Sequence, residues 1–371
     1  MNAFTSQKQL YVLLPNLNLG GSERVAVTLL RYFDRKKFDC CLVVLGKAEG
    51  ALAAYLPPDI RVISLNKSRV LLAIPLLVSL LWRAKPDLVF TNLSHLNLVM
   101  AMVRFFLPGK IKIIARESSV VSVNMKQYRT QSLWRFLYKT FYRRLDRIIC
   151  QSTVMQQDLI DNFCVPREKT VIIHNPVDVK HIKSLSKKGM AHVTVRPRKT
   201  QFKFVFVGGL RPEKCVDRLL RAFALIPIGT ASLDIVGDGT ERQMLQQLCA
   251  NLMLSDYVRF VGFQSNPYGW MKAADALLLT SDYEGAPNVV LEALALQTPV
   301  ISTPAIGGVC EMLSIQPGCV VARELTHESF AAAIFEWLEM SGKETSKAAV
   351  SNYAAAKVAF RYEDTFLGLS S

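Results

Sequence analysis

Short uninterrupted apolar runs recur along the chain, separated by longer segments rich in helix formers. Residues 9–14, 40–45, 61–65, 87–91, 111–115, 147–151 and 170–174 are too short for typical helices. They lack polar alternation, so each reads as a strand covered on both faces. Strands of this kind alternating with helices predict a doubly wound parallel sheet. A second cycle opens at 204–207 and continues through 233–236, 258–261 and 276–280, and residues 331–340 and 346–369 read as closing helices. Between the cycles, residues 183–203 are basic and poor in long apolar runs. The boundary is placed there, giving a first domain at 1–190, a second at 191–355 and a terminal helical segment at 356–371. At about 150 residues per domain, 371 residues also suit two domains.

Two stretches depart from the alternation. Residues 70–82 are the longest apolar run, with Pro75 inside it, and fall short of the roughly 20 residues that span a bilayer. They read either as a buried helix or as a helix inserted into a membrane surface. On a helical wheel of residues 126–147, Leu133, Trp134, Leu137, Tyr138, Phe141, Tyr142 and Leu145 fall on one half. Arg135, Lys139, Arg143 and Arg147 fall on the other, with Phe136 and Arg144 out of place. This describes a helix lying in a membrane interface, or a core helix with a solvated outer face. An RNA groove would suit the stretch alone, but no RNA-binding motif accompanies it.

Half the residues are apolar and 20% are charged, which marks a globular chain. The net charge of +15 hides an asymmetry. Residues 1–200 hold 32 Lys and Arg against 12 Asp and Glu, whereas the remainder holds 13 against 18. A half so basic faces nucleic acid, an anionic membrane surface or a phosphorylated acceptor, unless it is simply solvated. The eight cysteines show no CxxC or paired metal spacing, and Cys40-Cys41 lies in an apolar run. They read as reduced core thiols of a cytosolic protein. The apolar run that ends at Leu14, with Pro15 directly after it, is too short for the core of a secretory signal, so a strand is expected there.

The candidate chemistry sits at strand ends. After the run at 276–280 comes Glu284-Gly-Ala-Pro-Asn-Val-Val-Leu-Glu292, with a helix expected from 289 to 296 and Pro287 suited to its first turn. A helix start offers backbone N–H groups and the positive end of a dipole to an anion, while Glu284 and Glu292 accept hydrogen bonds from hydroxyls. In a helix, eight residues rotate roughly 80° beyond two turns, which lets both carboxylates look one way. Half phosphate and half polyol describes a nucleotide sugar, and an amphipathic helix with an ordinary N-terminal Glu is the plainer reading. Gly20-Gly21 lets a backbone approach a phosphate closely. It matches neither the dinucleotide fingerprint nor the nucleotide phosphate loop. Arg211 and Lys214 follow the glycine turn at 208–209 and suit a leaving diphosphate. Asn92, His95, Arg116 and Glu117 stand at strand ends on the expected acceptor side. His95 reads as a partner for sugar hydroxyls or acceptor phosphate, or as a loop histidine. No Asp-x-Asp pair is placed for a metal, Asp282-Tyr-Glu284 being the nearest approach, so metal-independent chemistry without a cofactor is expected.

The run Glu284-Gly-Ala-Pro-Asn-Val-Val-Leu-Glu-Ala-Leu-Ala, then Thr298-Pro-Val-Ile-Ser-Thr303, Gly307-Gly308 and Glu311, resembles the retaining nucleotide-sugar glycosyltransferases of family 4. Glu284 and Glu292 match that family's E-x7-E element. Gly20-Gly21-Ser-Glu-Arg24 resembles its Gly-Gly-x-Glu-Arg, and His174-Asn-Pro-Val-Asp178 its turn before the linker. The resemblance implies the GT-B fold, two Rossmann-like doubly wound α/β domains facing a central cleft, with the last helix returning to the first domain. It implies donor binding by Gly20, Gly21, Gly262, Phe263, Gly285, Ala286, Pro287, Asn288, Val289 and Glu292. Catalysis would fall to Glu284, Lys214, Arg211 and His95. Two positions depart from the family: Gly209 stands where an Arg is usual, and Glu117 stands near a usual His. Arg211 is expected to substitute for the missing cation.

The expected activity is retaining transfer of a hexose or N-acetylhexosamine from a nucleotide sugar, a UDP-sugar by preference. The expected acceptor is a lipid-linked saccharide in lipopolysaccharide, O-antigen or capsule synthesis, with no nucleic-acid partner. A catalytically weak membrane-bound partner protein is the rival reading, and nothing marks the pyridoxal lysine of a phosphorylase. The expected location is the cytoplasmic face of the cytoplasmic membrane. Arg135, Lys139, Arg143 and Arg147 would dock there at about 1 kcal/mol each.

Overall fold

A computed structural model of the chain describes residues 7–189, 200–340 and 347–369. The chain divides into two compact units, one formed by residues 1–176 with 355–371 and the other by 177–354.

Among the described residues, the first unit holds a seven-stranded sheet. Its strands are β1 (Lys8–Leu14), β2 (Phe38–Val44), β3 (Arg61–Ser64), β4 (Leu88–Thr91), β5 (Lys112–Arg116), β6 (Arg147–Cys150) and β7 (Thr170–Ile172). They lie side by side as β3-β2-β1-β4-β5-β6-β7, and every pairing is parallel. The continuous apolar runs follow from helices covering both faces. Tyr11 and Leu13 enter one core while Leu10, Val12 and Leu14 enter the other. The second core is completed from the far end of the sequence. Helix Ala355–Leu367 places Phe366 with ring centroids 5.7 Å from Phe33, 6.1 Å from Phe38 and 5.5 Å from Phe90.

The second unit repeats the plan with β8 (Phe202–Val207), β9 (Ala231–Val236), β10 (Val258–Gly262), β11 (Ala276–Leu279), β12 (Tyr283–Glu284), β13 (Val300–Ser302), β14 (Ile306–Gly307) and β15 (Val320–Val321). Six of these order as β10-β9-β8-β11-β13-β15, and the two-residue stubs β12 and β14 pair separately. Residues 179–189, placed in the first domain and partly in the basic boundary stretch, form the helix Val179–Gly189 and pack here. Ile182 is buried in this core, and Asn266 Nδ2 donates to the Leu185 carbonyl at 2.9 Å. The chain therefore changes unit at 176/177 rather than near 190. It returns at 354/355, where Val177 N–H donates to the Tyr353 carbonyl at 2.8 Å. The expected boundary at 190–191 and the expected helix start at 346 lie outside the described residues.

Both unusual stretches come out differently from one of their readings. Residues 70–82 form a helix, Val70–Ala84, but it is not a buried one: among its residues Ala73, Leu77 and Leu81 are buried while Leu71, Leu72, Leu76 and Trp82 are exposed. A sheet's flank needs only one helix stripe, and an apolar sequence does not create a second partner for the rest. The single helix expected over 126–147 is instead Gln131–Phe141 with short turns on either side, and Arg147 begins β6. Tyr138, Tyr142 and Leu145 face the core, which is the core-helix reading. Arg135, Lys139 and Arg143 are exposed, but Arg147 donates to the Glu168 carbonyl and leaves the expected basic face. Among the described residues, no helix is long and apolar enough to cross a membrane. The described cysteines are all free thiols, and Cys164 and Cys310 are exposed rather than core.

Because Phe366 fills a ring cluster with Phe33, Phe38 and Phe90, Phe366→Ala should destabilise the first unit by about 3–5 kcal/mol. Amide hydrogen exchange reads this as lost protection in β1, β2 and β4. Unchanged protection there would mean that the terminal helix is not part of that unit's core.

Candidate active site

In each sheet the strand order reverses direction once, between β1 and β4 and between β8 and β11. The turns leaving these strands diverge to opposite faces and open a crevice at the carboxyl edge, where such sheets hold ligands. Most of the chain's candidate residues follow these four strands, while Arg116 and Glu117 stand at the end of β5 and Gly262 and Phe263 at the end of β10.

In the second unit the turn after β8 runs through Gly208 and Gly209 to the short 3-10 helix Pro212–Lys214. Lys214 Nζ lies 2.5 Å from Glu284 Oε1, and both side chains are largely buried. Ser281 Oγ donates to the same carboxylate oxygen at 2.7 Å, and Thr280 Oγ1 donates to the Lys214 carbonyl at 3.0 Å. An ammonium and a carboxylate are thus held together across the reversal. Neighbouring Asp282 is engaged by Arg218 at 2.7 Å.

Glu284 stands on β12, paired with β14, and only from Asn288 does the helix Asn288–Ala295 begin. The rotation argument for the two carboxylates therefore fails, since only Glu292 is helical. Pro287 is the residue just before the first helical turn, at φ −69°, and no side chain caps this helix. Gly285 and Ala286 are buried in the turn, with Asn288 and Val289 half-buried behind them. Gly307 has φ +133°, and a Cβ there would collide with the Glu284 carbonyl, so the backbone at Glu284 depends on glycine opposite it. Glu292 is buried, and the Tyr268 hydroxyl donates to its Oε1 at 3.3 Å.

Arg211 is exposed and pairs with Glu213 at 3.1 Å. Its Nε lies 3.3 Å from where a Cβ on Gly209 would stand. Gly262, at φ +83°, has the Arg242 guanidinium 3.4 Å from its own missing Cβ, and Phe263 beside it is 62% exposed rather than core.

In the first unit Gly20 precedes helix Gly21–Tyr32, with the Glu23 carboxylate packed where a Gly20 side chain would be. Desolvation raises the Glu23 pKa. Asn92 Nδ2 donates to the Ser22 carbonyl at 2.6 Å, tying the turn after β4 to that helix start. His95 is exposed at the start of helix Ser94–Val103, and desolvation lowers its pKa.

The other residues expected on the acceptor side lie below the surface. Asn92, Arg116 and Glu117 are buried, and their own unit supplies part of their hydrogen bonding, while Asn92 Oδ1 and the Nε and Nη1 of Arg116 have no partner among the described residues. Arg116 donates to Asn175 Oδ1, and desolvation lowers its pKa. Glu117 accepts from Ser94 Oγ at 2.7 Å, from Asn97 Nδ2 at 3.1 Å and from the Tyr142 hydroxyl. Desolvation pushes its pKa up to about 7. Glu117 braces the strand end and holds Ser94 beside His95. Sequence reasoning missed Ser281, Tyr268, Arg218 and Arg242, because single polar residues in turns and helices carry no periodic signal.

Two family models divide the chain. Glycosyltransferase Family 4 matches residues 19–181, and Glycosyl transferases group 1 matches 191–357. The chain belongs to the glycosyltransferases. The glycosyltransferase is 31% identical over 238 residues to an uncharacterized glycosyltransferase of Methanocaldococcus jannaschii, covering 62% of this chain but only 58% of that relative. It is 27% identical over 318 residues, 82% of this chain and 83% of the relative, to the N-acetylgalactosamine-N,N'-diacetylbacillosaminyl-diphospho-undecaprenol 4-alpha-N-acetylgalactosaminyltransferase of Campylobacter jejuni. In fold it is similar to Anabaena HepE in complex with UDP and glucose, with a TM-score of 0.79 at 19% identity over 98% of this chain and 100% of that one. The fold is GT-B, with two parallel-sheet α/β units. Among the described residues no group of three or more His, Cys, Asp or Glu comes together to hold a metal ion.

Glu117 supplies a pH signature. Its folded pKa near 7 lies above the ordinary 4.5, so the folded state holds a proton that the unfolded state has released between those values. Its contribution is present below about pH 4.5 and is lost as pH rises through 7. Glu117→Gln should therefore flatten the fall in stability between pH 5 and 8, read by thermal unfolding. An unchanged slope would place the charge of Glu117 in solvent.

Proposed function

We propose that this glycosyltransferase moves a hexose or N-acetylhexosamine, with retention of configuration, from a UDP-sugar to a lipid-linked saccharide at the cytoplasmic face of a membrane. The product belongs to a surface polysaccharide such as lipopolysaccharide, O-antigen or capsule. The observation that carries the reading is the Lys214–Glu284 pair across the β8/β11 reversal, with Glu292 held by Tyr268 one helix away. Lys214 takes the departing diphosphate, Glu284 accepts from the sugar hydroxyls, and Glu292 accepts from the ribose. The backbone of Gly285–Val289 adds N–H groups for the phosphates, while Gly262 and Phe263 flank the base. HepE, crystallised with UDP, supports the donor class, and the diphospho-undecaprenol in the Campylobacter relative's name supports the acceptor class. His95, exposed after β4, is the acceptor-side hydrogen-bonding group.

Arg211 stands in for the arginine usual at 209. Its Nε already lies at the root of where that side chain would begin. Its exposed pairing with Glu213 is weak, so it exchanges readily for a diphosphate. With these cations and the helix start at Asn288, charge on the leaving group is offset without a metal.

Three measurements test this. Glu292→Ala should weaken UDP binding by about 1.5–3 kcal/mol in calorimetry, while Glu284→Ala should chiefly lower turnover. Unchanged UDP affinity in the Glu292 variant would remove its ribose role. Arg211→Gln should slow nucleotide release from a UDP-sugar by roughly tenfold or more, and Gly209→Arg in that background should restore it. Failure of the second change to rescue would leave Arg211 a solvent residue. Transfer should survive EDTA, and loss reversed by Mn²⁺ would instead assign Asp282 or another carboxylate to a metal. If no nucleotide sugar is turned over by the purified chain, the weak-partner reading takes its place.

A further inference from the structure

Helix Val70–Ala84 has no charged side chain before Arg83, yet one side of it lies open to solvent. Leu71 is 73% exposed, and Leu72, Leu76 and Trp82 are exposed with it. Beside it, Phe105 and Phe106 are 71% and 68% exposed. Trp82 Nε1 donates to the Phe106 carbonyl at 2.6 Å and pins the two elements together. Between them runs an open groove of about 490 Å³, lined by Leu71, Ile74, Met102, Phe105, Phe106 and Phe141. At its rim the Arg144 guanidinium lies 4.3 Å from the Phe105 ring centroid and 4.9 Å from that of Phe141. A contiguous apolar patch with a cationic rim marks an interaction surface.

The surrounding charge says which one. Residues 61–112 contain eight Lys and Arg but a single acid, Asp87. Arg69, Arg83, Lys85 and Lys110 in this segment are all exposed. A bilayer leaflet with anionic headgroups supplies hydrocarbon for the leucines and phenylalanines and negative charge for the surrounding cations.

We propose that this face of the first unit inserts into the headgroup–acyl boundary of an anionic leaflet. The groove receives a hydrocarbon chain of that leaflet, and Arg144 meets a headgroup phosphate. For its purpose this rests on the lipid-linked acceptor reading; for binding itself it needs no donor, acceptor or turnover. It moves docking away from Arg135 and Lys139 on the outer side of helix Gln131–Phe141.

The test is co-sedimentation of the full chain, without donor, with vesicles of phosphatidylglycerol and phosphatidylcholine or of phosphatidylcholine alone. Binding should need the anionic lipid, weaken with added salt, and fall at least about tenfold in Phe105→Ser/Phe106→Ser. Arg135→Gln/Lys139→Gln should bind nearly as well as the parent. In the unaltered chain, tryptophan emission should shift to the blue on anionic vesicles, and Trp82→Phe should lose the shift while still binding. That readout stands even if the phenylalanine variant misfolds. Equal binding by the phenylalanine variant, equal binding to neutral vesicles or no shift from Trp82 overturns the proposal. So does lipid-independent self-association that the phenylalanine variant abolishes. Nucleotide release measured without vesicles reports separately on the enzyme, so a chain that binds membranes without turnover contradicts only the catalytic reading.

Discussion

Every paired strand in both sheets points the same way. A parallel sheet cannot be closed by tight hairpins, so each strand must be followed by a crossover, and all turns leaving the carboxyl ends gather on one edge. Within that edge, the turn geometry matters most where neighbouring strands send their chains to opposite faces. Gly20, Asn92 and His95 reach one such place in the first unit, and Lys214 and Glu284 reach the other in the second. Residues far apart in sequence become neighbours because the sheet allows few other arrangements.

This explains how much was legible beforehand. The alternation of apolar runs with helical segments shows the doubly wound class, because strands buried on both faces need uninterrupted apolar residues. The site was legible where chemistry and backbone demands coincide in one stretch, as at 284–292. Elsewhere the same rules say less. Asn92, Arg116 and Glu117 follow strands as read, but they lie buried with Ser94, Asn97, Tyr142, Asn175 and the start of a helix for neighbours. Whether a polar residue at a strand end turns inward depends on partners distant in sequence. The switch of units at 176/177 was hidden for a similar reason. Helix Val179–Gly189 is basic and linker-like by composition, but a few apolar residues such as Ile182 suffice to seat it.

Apolar content and burial are also separate quantities. The helix at 70–84 and the helix at 131–141 were read from opposite kinds of pattern, one uniformly apolar and one two-sided. The two-sided one turns Tyr138 to the core with Trp134, Leu137 and Phe141 packed beside it and leaves Leu133 and Phe136 exposed, and the uniform one shows leucines to solvent. An amphipathic helix tells its neighbours which face to cover; a uniform one leaves the choice to the space available. Polarity at a single position is therefore weaker guidance than the contrast between faces.

The Lys214–Glu284 pair has a consequence for ligand choice. The ammonium and the carboxylate satisfy one another, with Ser281 adding a hydrogen bond, so neither presents an unbalanced charge. A free phosphate that drew off the lysine would leave a largely buried carboxylate without its counter-ion, and a free sugar that engaged the carboxylate would leave the ammonium stranded. Only a molecule carrying both groups on one skeleton replaces both partners at once. On the proposed reading, a nucleotide without its sugar can draw on the lysine but leaves the carboxylate unrelieved, so the pair favours the intact donor over its separated halves.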